Sequence, residues 1–251
     1  MILTIANQRG GVAKSTTAAA LAQAAAHRRK TCLAIDLDPQ GNLSFFLSAD
    51  TNRPGAYELM EGHPAAETIQ HAGAIDVIAA GWSLQTIGSS RGSARRLMAA
   101  VEPVANEYDL IIIDTPPTPG ELQYNALMAS NALVIPLQAD IVGLQGLYQM
   151  ADTARKIQQT NKALTIKGYI LTRHSSRSTL ARQMTETIAA RALEMGIPYL
   201  TAIREAVAIR EAQTLQRDLY EYAPASKPAQ DYLALFDVLM APAADKVNNP
   251  T

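Results

Sequence analysis

The feature that most constrains the fold is a glycine-containing loop, Asn-Gln-Arg-Gly-Gly-Val-Ala-Lys-Ser-Thr at residues 7–16. The loop lies between a short apolar run at 2–6 and an alanine-rich segment at 14–29 that has the composition of a helix. A strand, a glycine turn and a helix in this order direct backbone N–H groups and the positive end of the helix dipole towards one point. The order predicts a phosphate-binding loop in a β–α–β unit whose second strand is 31–36.

The loop contains the residue types that hold a triphosphate and its metal ion. Glycines allow backbone N–H groups to reach phosphate oxygens without obstruction by a side chain. Lys14 can neutralise charge on the β- and γ-phosphates, and the Ser15 hydroxyl can ligate Mg²⁺. We therefore expect ATP contacts from a continuous set of residues: Gly10, Gly11, Val12, Ala13, Lys14, Ser15 and Thr16.

Aspartates follow two apolar runs further along the chain. Asp36 and Asp38 lie in Asp-Leu-Asp-Pro-Gln-Gly-Asn, and Asp114 ends the run Leu-Ile-Ile-Ile-Asp at 110–114. Such apolar runs are typical of strands buried on both faces of a parallel sheet. A carboxylate at the end of a buried strand can hold Mg²⁺ directly or through water, which makes Asp114 a candidate metal residue. A turn built on Asp and Pro explains the composition after residue 36, but not two carboxylates close to a phosphate loop.

Strands and helices alternate over the rest of the chain. This alternation predicts an α/β, P-loop NTPase-like, doubly wound fold with a mostly parallel sheet and helices on both faces. We expect one domain over 1–240 and a fraying tail at 241–251, which contains two prolines and two asparagines. Further strands are predicted at 76–80, 132–136, 166–172 and 198–201, and helices near 93–105, 121–130, 143–159, 180–195, 205–213 and 228–239.

Composition excludes several classes of protein. The single cysteine, Cys32, cannot form an internal disulfide or hold a metal cluster alone. No apolar stretch reaches the roughly 18 residues that span a bilayer, and the first residues lack the basic region of a signal peptide. The histidines, His27, His63, His71 and His174, show no spacing typical of a metal site. We expect a cytoplasmic protein.

Three segments resemble one known family. Residues 9–15, Arg-Gly-Gly-Val-Ala-Lys-Ser, resemble the deviant Walker A loop of the ParA/MinD/Soj family, whose pattern is Lys-Gly-Gly-x-Gly-Lys-Thr/Ser. Residues 36–42 resemble the family's Asp-x-Asp-Pro-Gln-Gly-Asn segment, and 114–117 resemble its Asp-Thr-Pro-Pro switch segment. The resemblance extends into the C-terminal half within 203–224, so it covers nearly the whole chain. It implies a Mg-dependent ATPase that forms an ATP sandwich homodimer.

The resemblance also implies roles for individual residues. Arg9 stands where the family has the lysine that reaches the phosphates of the partner subunit's ATP, so it is a candidate catalytic residue with Lys14 and Asp38. Asp38 would orient or deprotonate the attacking water, and Asp36 would support the magnesium shell. Thr172 and Arg173 match a segment near the adenine. Two departures from the pattern, Arg9 and Ala13, bear on the hydrolysis rate and the dimer geometry.

Positive charge is concentrated in the C-terminal half. The chain has a net charge of −1, yet 155–217 contains 11 basic and 4 acidic residues. A basic face is typical of binding to a phosphate backbone, and Soj-like proteins bind DNA without sequence preference. The alternative is a solvated surface with salt bridges. The candidate DNA contacts are Arg177, Arg204, Arg210 and Arg217, and the cluster Arg91, Arg95 and Arg96 could extend this face.

These features favour a DNA-partition ATPase, associated with the nucleoid and released by a ParB-like partner that stimulates hydrolysis. A MinD-like membrane-cycling ATPase is the alternative, but 241–251 has neither the apolar stripe nor the basic face of a membrane-binding helix. A nucleotide-dependent scaffold with little turnover is a further alternative, because Arg9 and Ala13 alter the loop. Since the chain begins at its first strand, we expect no N-terminal helix-turn-helix domain.

Overall fold

Eight strands form one sheet in the computed structural model, which describes residues 1–88, 95–174 and 179–242. The strand order is β3-β4-β2-β5-β1-β6-β7-β8, and every neighbouring pair is parallel except β3 with β4. The doubly wound, mostly parallel sheet predicted from the sequence is confirmed. The strands are β1 (Ile2–Ile5), β2 (Cys32–Asp36), β3 (Gln70–Ala72), β4 (Ile75–Ile78), β5 (Leu110–Asp114), β6 (Ala132–Leu137), β7 (Thr165–His174) and β8 (Tyr199–Arg204).

Helices cover both faces of the sheet. They are α1 (Lys14–His27), α2 (Asn42–Phe46), α3 (Ala56–Met60), α4 (Ala65–Thr68), α5 (Arg96–Val101), α6 (Glu121–Ala129), α7 (Ile141–Gln158), α8 (Thr179–Glu194), α9 (Val207–Thr214), α10 (Leu219–Tyr222) and α11 (Lys227–Met240), with 3₁₀ helices at Trp82–Thr86 and Glu102–Glu107. None of the helices in the described part of the chain has the length and apolar character needed to cross a membrane.

The central strand β5 shows why both faces are covered. Its residues alternate between two hydrophobic clusters, because successive side chains of a strand point to opposite faces. Leu110 and Ile112 pack in the cluster that contains α1 and α11, whereas Ile111 and Ile113 pack in the cluster that contains α3, α5 and α6. The alternating side chains of this one apolar strand therefore pack against a layer of helices on each face of the sheet.

The sequence predicted short helices within 41–90 but not their bounds, and it did not predict β3 or α10. The antiparallel edge strand β3 has three residues, and the helices α2, α3, α4 and α10 have four or five each. The helix predicted near 93–105 is α5 followed by the 3₁₀ helix that contains Pro103. Proline lacks a backbone N–H and cannot continue α-helical hydrogen bonding. Residues 93–94, and the tail from 243 onwards, lie outside the described residues.

Candidate functional site

The loop between β1 and α1 has a left-handed bend at its centre. Gly11 has φ +76°, and Ala13, which directly precedes α1, has φ 64° and ψ 36°. Alanine in the left-handed region costs about 1–2 kcal/mol, because its Cβ crowds the following carbonyl. The sequence therefore places a non-glycine residue in a strained conformation where the loop enters the helix.

The carbonyl groups of the loop are held by side chains from three places. The Lys14 ammonium donates to Arg9 O at 3.0 Å. The Gln138 amide donates to Gly11 O at 3.2 Å, and the Thr172 hydroxyl donates to Val12 O at 3.2 Å. Gln138 follows β6 and Thr172 lies near the end of β7, so residues at the carboxyl ends of these two strands hold the loop in place.

The amide groups of the loop have no such partners. Among the described residues, no backbone N–H of 10–16 donates a hydrogen bond to the protein. Unpaired N–H groups at a helix start form an anion site, because they and the helix dipole both favour negative charge. Residues 10–16, which the sequence predicted to contact ATP, therefore have the features of an anion site.

Asn7 connects the loop to the neighbouring helix. Its side chain is fully buried, donates to Pro136 O at 2.8 Å and accepts from Arg9 N at 3.1 Å. Gly146 of α7 packs directly against it, since a Cβ on Gly146 would lie 2.7 Å from Asn7 Oδ1. Sequence analysis missed this pair, because a polar residue and a helical glycine about 140 positions apart give no local signal.

Asp36 and Asp114 lie side by side at the ends of β2 and β5, and both are fully buried. Asp36 accepts from Ser44 N at 2.8 Å, Ser44 Oγ at 2.7 Å and Asp38 N at 3.1 Å. Burial raises the pKa of Asp36 to about 6, although these hydrogen bonds oppose the shift. Because protein donors occupy both of its oxygens, Asp36 orders the segment that carries Asp38 and is a weaker candidate metal ligand than the sequence suggested.

Asp114 has the carboxylate oxygen that fits a metal ion. Its Oδ1 accepts from Thr115 N at 3.0 Å, whereas Oδ2 is buried and has no hydrogen-bond partner among the described residues. Burial raises the pKa of Asp114 well above its ordinary value, and nearby Asp36 adds to the shift; the neighbouring Ser15 hydroxyl and the charge of Lys14 oppose it. A hydroxyl beside a buried, unpaired carboxylate oxygen is a donor set that suits Mg²⁺, with phosphate and water as the remaining ligands.

Lys14 and Asp38 complete the charged centre. Each is 6% exposed. Burial lowers the pKa of Lys14, while the carboxylates of Asp114 and Asp38 oppose that shift. A buried ammonium next to the loop amides can neutralise phosphate charge in a medium where charge interactions are strong. Asp38 also lines an open cleft of about 440 Å³ with Pro39 and Pro117.

Arg9 is bound within its own chain. Its Nη1 lies 2.7 Å from Asp140 Oδ1 and 2.9 Å from Oδ2. Asp140 also caps α7 by accepting from Gly143 N at 2.6 Å. Burial opposes ionisation of Asp140, but the hydrogen bonds from Arg9 and Gly143 N hold its pKa below the ordinary value. The role expected for Arg9, contact with the partner subunit's ATP, requires that Arg9 first leave Asp140.

A small cavity extends from the loop towards β7 and β8. Its volume is about 120 Å³, and Ala13, Thr16, Thr172 and Arg173 form part of its wall. Thr172 is 2% exposed and its hydroxyl is bound to loop and strand carbonyls, so it shapes the cavity rather than presenting a free polar group. The structure thus places both residues predicted for the adenine region next to the phosphate loop.

The candidate DNA contacts differ in their surroundings. Arg177 and Arg91 lie outside the described residues. Arg204 is paired with Asp231, with Nη2 at 2.6 Å from Oδ1 and Nε at 2.9 Å from Oδ2, so its charge is largely neutralised and its assignment to DNA is not supported. Arg210 is exposed, and Arg217 stacks over the Tyr222 ring at 5.4 Å. Arg96 pairs with Glu61, so ion pairing explains part of the basic surface.

The fold and the site define a P-loop nucleoside triphosphatase, with unpaired loop amides, a buried lysine and a buried carboxylate with an unpaired oxygen at the carboxyl ends of the strands of a doubly wound sheet. The chain belongs to the ParA/MinD superfamily of partition ATPases: a family described as an AAA domain matches residues 1–166, and the relatives below match nearly the whole chain. It is an ATPase that uses ATP and Mg²⁺.

Two curated relatives are aligned almost end to end. The chromosome-partitioning ATPase Soj of Thermus thermophilus is 32% identical over 241 residues, which cover 95% of each chain. The sporulation initiation inhibitor protein Soj of Bacillus subtilis is 35% identical over 250 residues, which cover 93% of this chain and 96% of the relative.

Two solved structures illustrate the breadth of the fold. Cobyrinic acid a,c-diamide synthase of Mycobacterium smegmatis, solved with an ATP analogue and magnesium, is 29% identical, with a TM-score of 0.81 and coverage of 95% of this chain and 93% of that chain. The cell division ATPase MinD of Pyrococcus furiosus is 23% identical, with a TM-score of 0.79 and coverage of 95% and 97%, and shows the shared fold alone.

Proposed function

We propose that the chain is a DNA-partition ATPase. Mg-ATP would join two copies into a sandwich dimer that binds DNA without sequence preference and therefore associates with the nucleoid. Hydrolysis stimulated by a ParB-like, centromere-binding partner would release it. The observation that carries the proposal is the match, over 95% of each chain, with a relative named as a chromosome-partitioning ATPase.

The proposal assigns the chemistry to four side chains. Ser15 and Asp114 would hold magnesium, which would neutralise charge on the triphosphate. Lys14 binds the β- and γ-phosphates, and the loop amides fix their position. Asp38 accepts a hydrogen bond from the attacking water and holds it in line with the γ-phosphate. Asp36 acts through Asp38, because its carboxylate binds Asp38 N and Ser44, which orders that segment.

The proposal assigns DNA binding to exposed arginines without carboxylate partners. Among the described residues, neither Arg210 nor Arg217 has an ion pair, and the Arg217 guanidinium lies over the Tyr222 ring. Such cations bind phosphates through long-range attraction and the release of counterions, which gives affinity without sequence preference. Arg177 remains a candidate because of its position in the sequence.

A DNA mobility assay tests the proposal. The protein is mixed with unrelated duplexes in Mg-ATP, Mg-ADP or a slowly hydrolysed analogue, and a vesicle flotation assay is run in parallel. We expect retardation of all duplexes with ATP and the analogue only, a loss of binding as salt rises, and no flotation. In Mg-ATP, the Asp38→Ala variant should stay bound to DNA for longer than the wild type, because hydrolysis ends the bound state.

The control is Lys14→Ala, which removes the ammonium that binds phosphate and should behave as nucleotide-free protein throughout. DNA retardation that is equal in every nucleotide state would overturn the proposal. ATP-dependent flotation with vesicles, without DNA retardation, would instead favour a membrane-cycling ATPase.

A further inference from the structure

Helix α9 forms one wall of the cavity that we assign to the nucleoside. Ile209, Arg210 and Gln213 line that cavity of about 120 Å³, opposite Ala13 and Thr16 of the phosphate loop. The helix is eight residues long, and Ala212 is its one buried residue. An element with so little buried surface has low local stability, so its position depends on a few specific contacts.

One of these contacts joins α9 directly to the phosphate loop. Gln213 Nε2 donates to the Thr16 hydroxyl at 3.0 Å, and the bond is partly buried. Thr16 lies in the first turn of α1, beside Ser15, where the α-phosphate side of a nucleotide would lie. Among the described residues, no other side chain of α9 has a hydrogen bond to the loop or to α1.

The same turn of α9 carries a free cation. Arg210 lies three residues before Gln213, so the two side chains are neighbours on the helix surface. Arg210 is exposed and has no acidic partner among the described residues, in contrast to Arg204, which is bound to Asp231. A shift of α9 that changes the contact of Gln213 therefore also moves the guanidinium of Arg210.

We propose that Gln213 is a positioning residue that couples nucleotide in the phosphate loop to the presentation of Arg210 to DNA. A nucleoside in the cavity packs against Ile209 and orders Thr16, and the hydrogen bond from Gln213 then holds α9 in the orientation in which Arg210 faces the phosphate backbone. Without nucleotide, α9 samples other positions and DNA affinity falls. The inference rests on the proposed function, since it presupposes ATP-dependent DNA binding.

The size of the effect follows from the contact. One hydrogen bond of this kind changes an equilibrium by about two- to tenfold. The coupling is the ratio of the DNA dissociation constant without nucleotide to that with saturating Mg-ATPγS. Saturation removes any effect of a substitution on nucleotide affinity from this ratio. We expect Gln213→Leu, which keeps the size of the side chain and removes its amide, to lower the ratio about fivefold.

The matched control is Gln216→Leu. Gln216 belongs to the same segment, but its amide donates to Phe45 O at 2.9 Å and not to the phosphate loop. The control should keep the wild-type ratio. The fraction of dimer in each sample is measured by analytical ultracentrifugation, so that a change in DNA affinity can be separated from a change in assembly.

A lower ratio for Gln213→Leu, with the dimer fraction of the wild type and an unchanged Gln216→Leu, supports the inference. An unchanged ratio overturns it, as does a ratio that falls only in proportion to the dimer fraction. If Gln213→Leu does not fold, Gln213→Asn tests the same bond, because its amide is one methylene too short to reach Thr16. If the DNA affinity of the wild type did not depend on ATP, the proposed function itself would be refuted before either variant is compared.

Discussion

At the scale of single residues, Ala13 shows how one methyl group can affect the phosphate loop. Its φ of 64° is a conformation that glycine adopts freely and alanine does not. The left-handed conformation is needed there because the chain must turn from the loop into α1 within one residue. The loop pattern identified Ala13 as a departure from the family, and the backbone angle gives the physical consequence of that departure.

We predict that Ala13→Gly stabilises the protein. Relief of the strain exceeds the additional backbone entropy of glycine, for a net gain of about 1 kcal/mol and a rise in Tm of about 2–4 °C. Thermal unfolding followed by circular dichroism measures the change. The control is Ala190→Gly in the middle of α8, where the same substitution should lower stability by about 1 kcal/mol. A fall in Tm for Ala13→Gly would show that the alanine is not strained.

Asp114 illustrates a residue whose function conflicts with stability. Burial raises the pKa of Asp114, so in the absence of Mg²⁺ the folded protein loses stability when this carboxylate ionises. The unfolded chain has no such cost, because its carboxylates are solvated. The free energy of unfolding therefore decreases as pH rises above the ordinary pKa of aspartate.

We predict that Asp114→Asn raises the Tm of the metal-free protein at pH 7.5 by about 2–4 °C, the shift for about 1 kcal/mol in a chain of this size. The same variant should lose the further stabilisation that Mg-ATP gives the wild type. Unfolding scans with and without Mg-ATP measure both effects. An Asp114→Asn variant that is less stable than the wild type without metal would contradict the assignment of Oδ2 as an unpaired oxygen.

At the scale of elements, the contact of α7 with Asn7, two residues after β1, sets the position of the loop. Gly146 allows α7 to approach Asn7, and Asn7 holds Arg9 N at the start of the loop. We predict that Gly146→Ala displaces Asn7, lowers stability by about 1–3 kcal/mol and weakens ATP binding, because the new methyl group would overlap with a buried amide. Calorimetric titration with Mg-ATP and urea unfolding measure the two effects.

The control for that prediction is Gly81→Ala, where a new Cβ meets no atom within 4 Å and the backbone is extended. Gly81→Ala should leave both the stability and the affinity for ATP unchanged. If Gly146→Ala bound ATP as the wild type does, the packing of α7 would not determine the loop geometry.

The elements also show what sequence could and could not establish. The apolar run of β5 and the loop at 7–16 carry their own local signals, and the sheet and the phosphate site were predictable from them. Ser44, which binds Asp36, and Gln138, which binds Gly11 O, carry no such signal, because each contact depends on how distant segments pack. The pairing of Arg204 with Asp231 was hidden for the same reason, since 27 residues separate the two.

At the scale of the whole molecule, apolar side chains are exposed beside the site. Ile141 and Val142, at the start of α7, are 62% and 43% exposed, and they adjoin the Arg9–Asp140 pair. In the proposed dimer, Arg9 would exchange Asp140 for phosphate oxygens of the partner's ATP. The intrachain ion pair therefore competes with assembly, and its removal should favour the dimer.

We predict that Asp140→Asn lowers the protein concentration at which ATP produces half-maximal dimer by about threefold to tenfold. Asparagine retains the helix cap, because its side-chain oxygen can still accept from Gly143 N, but it no longer attracts the Arg9 guanidinium as a carboxylate does. The competing state loses a partly exposed ion pair, which accounts for the modest size of the expected change. Analytical ultracentrifugation in Mg-ATPγS measures the shift.

Asp140→Ala separates the two roles, since it also removes the cap and should lower the Tm, which Asp140→Asn should not. Weaker assembly in Asp140→Asn would mean that Asp140 holds Arg9 in the orientation the dimer needs, and that the pair assists assembly instead of opposing it.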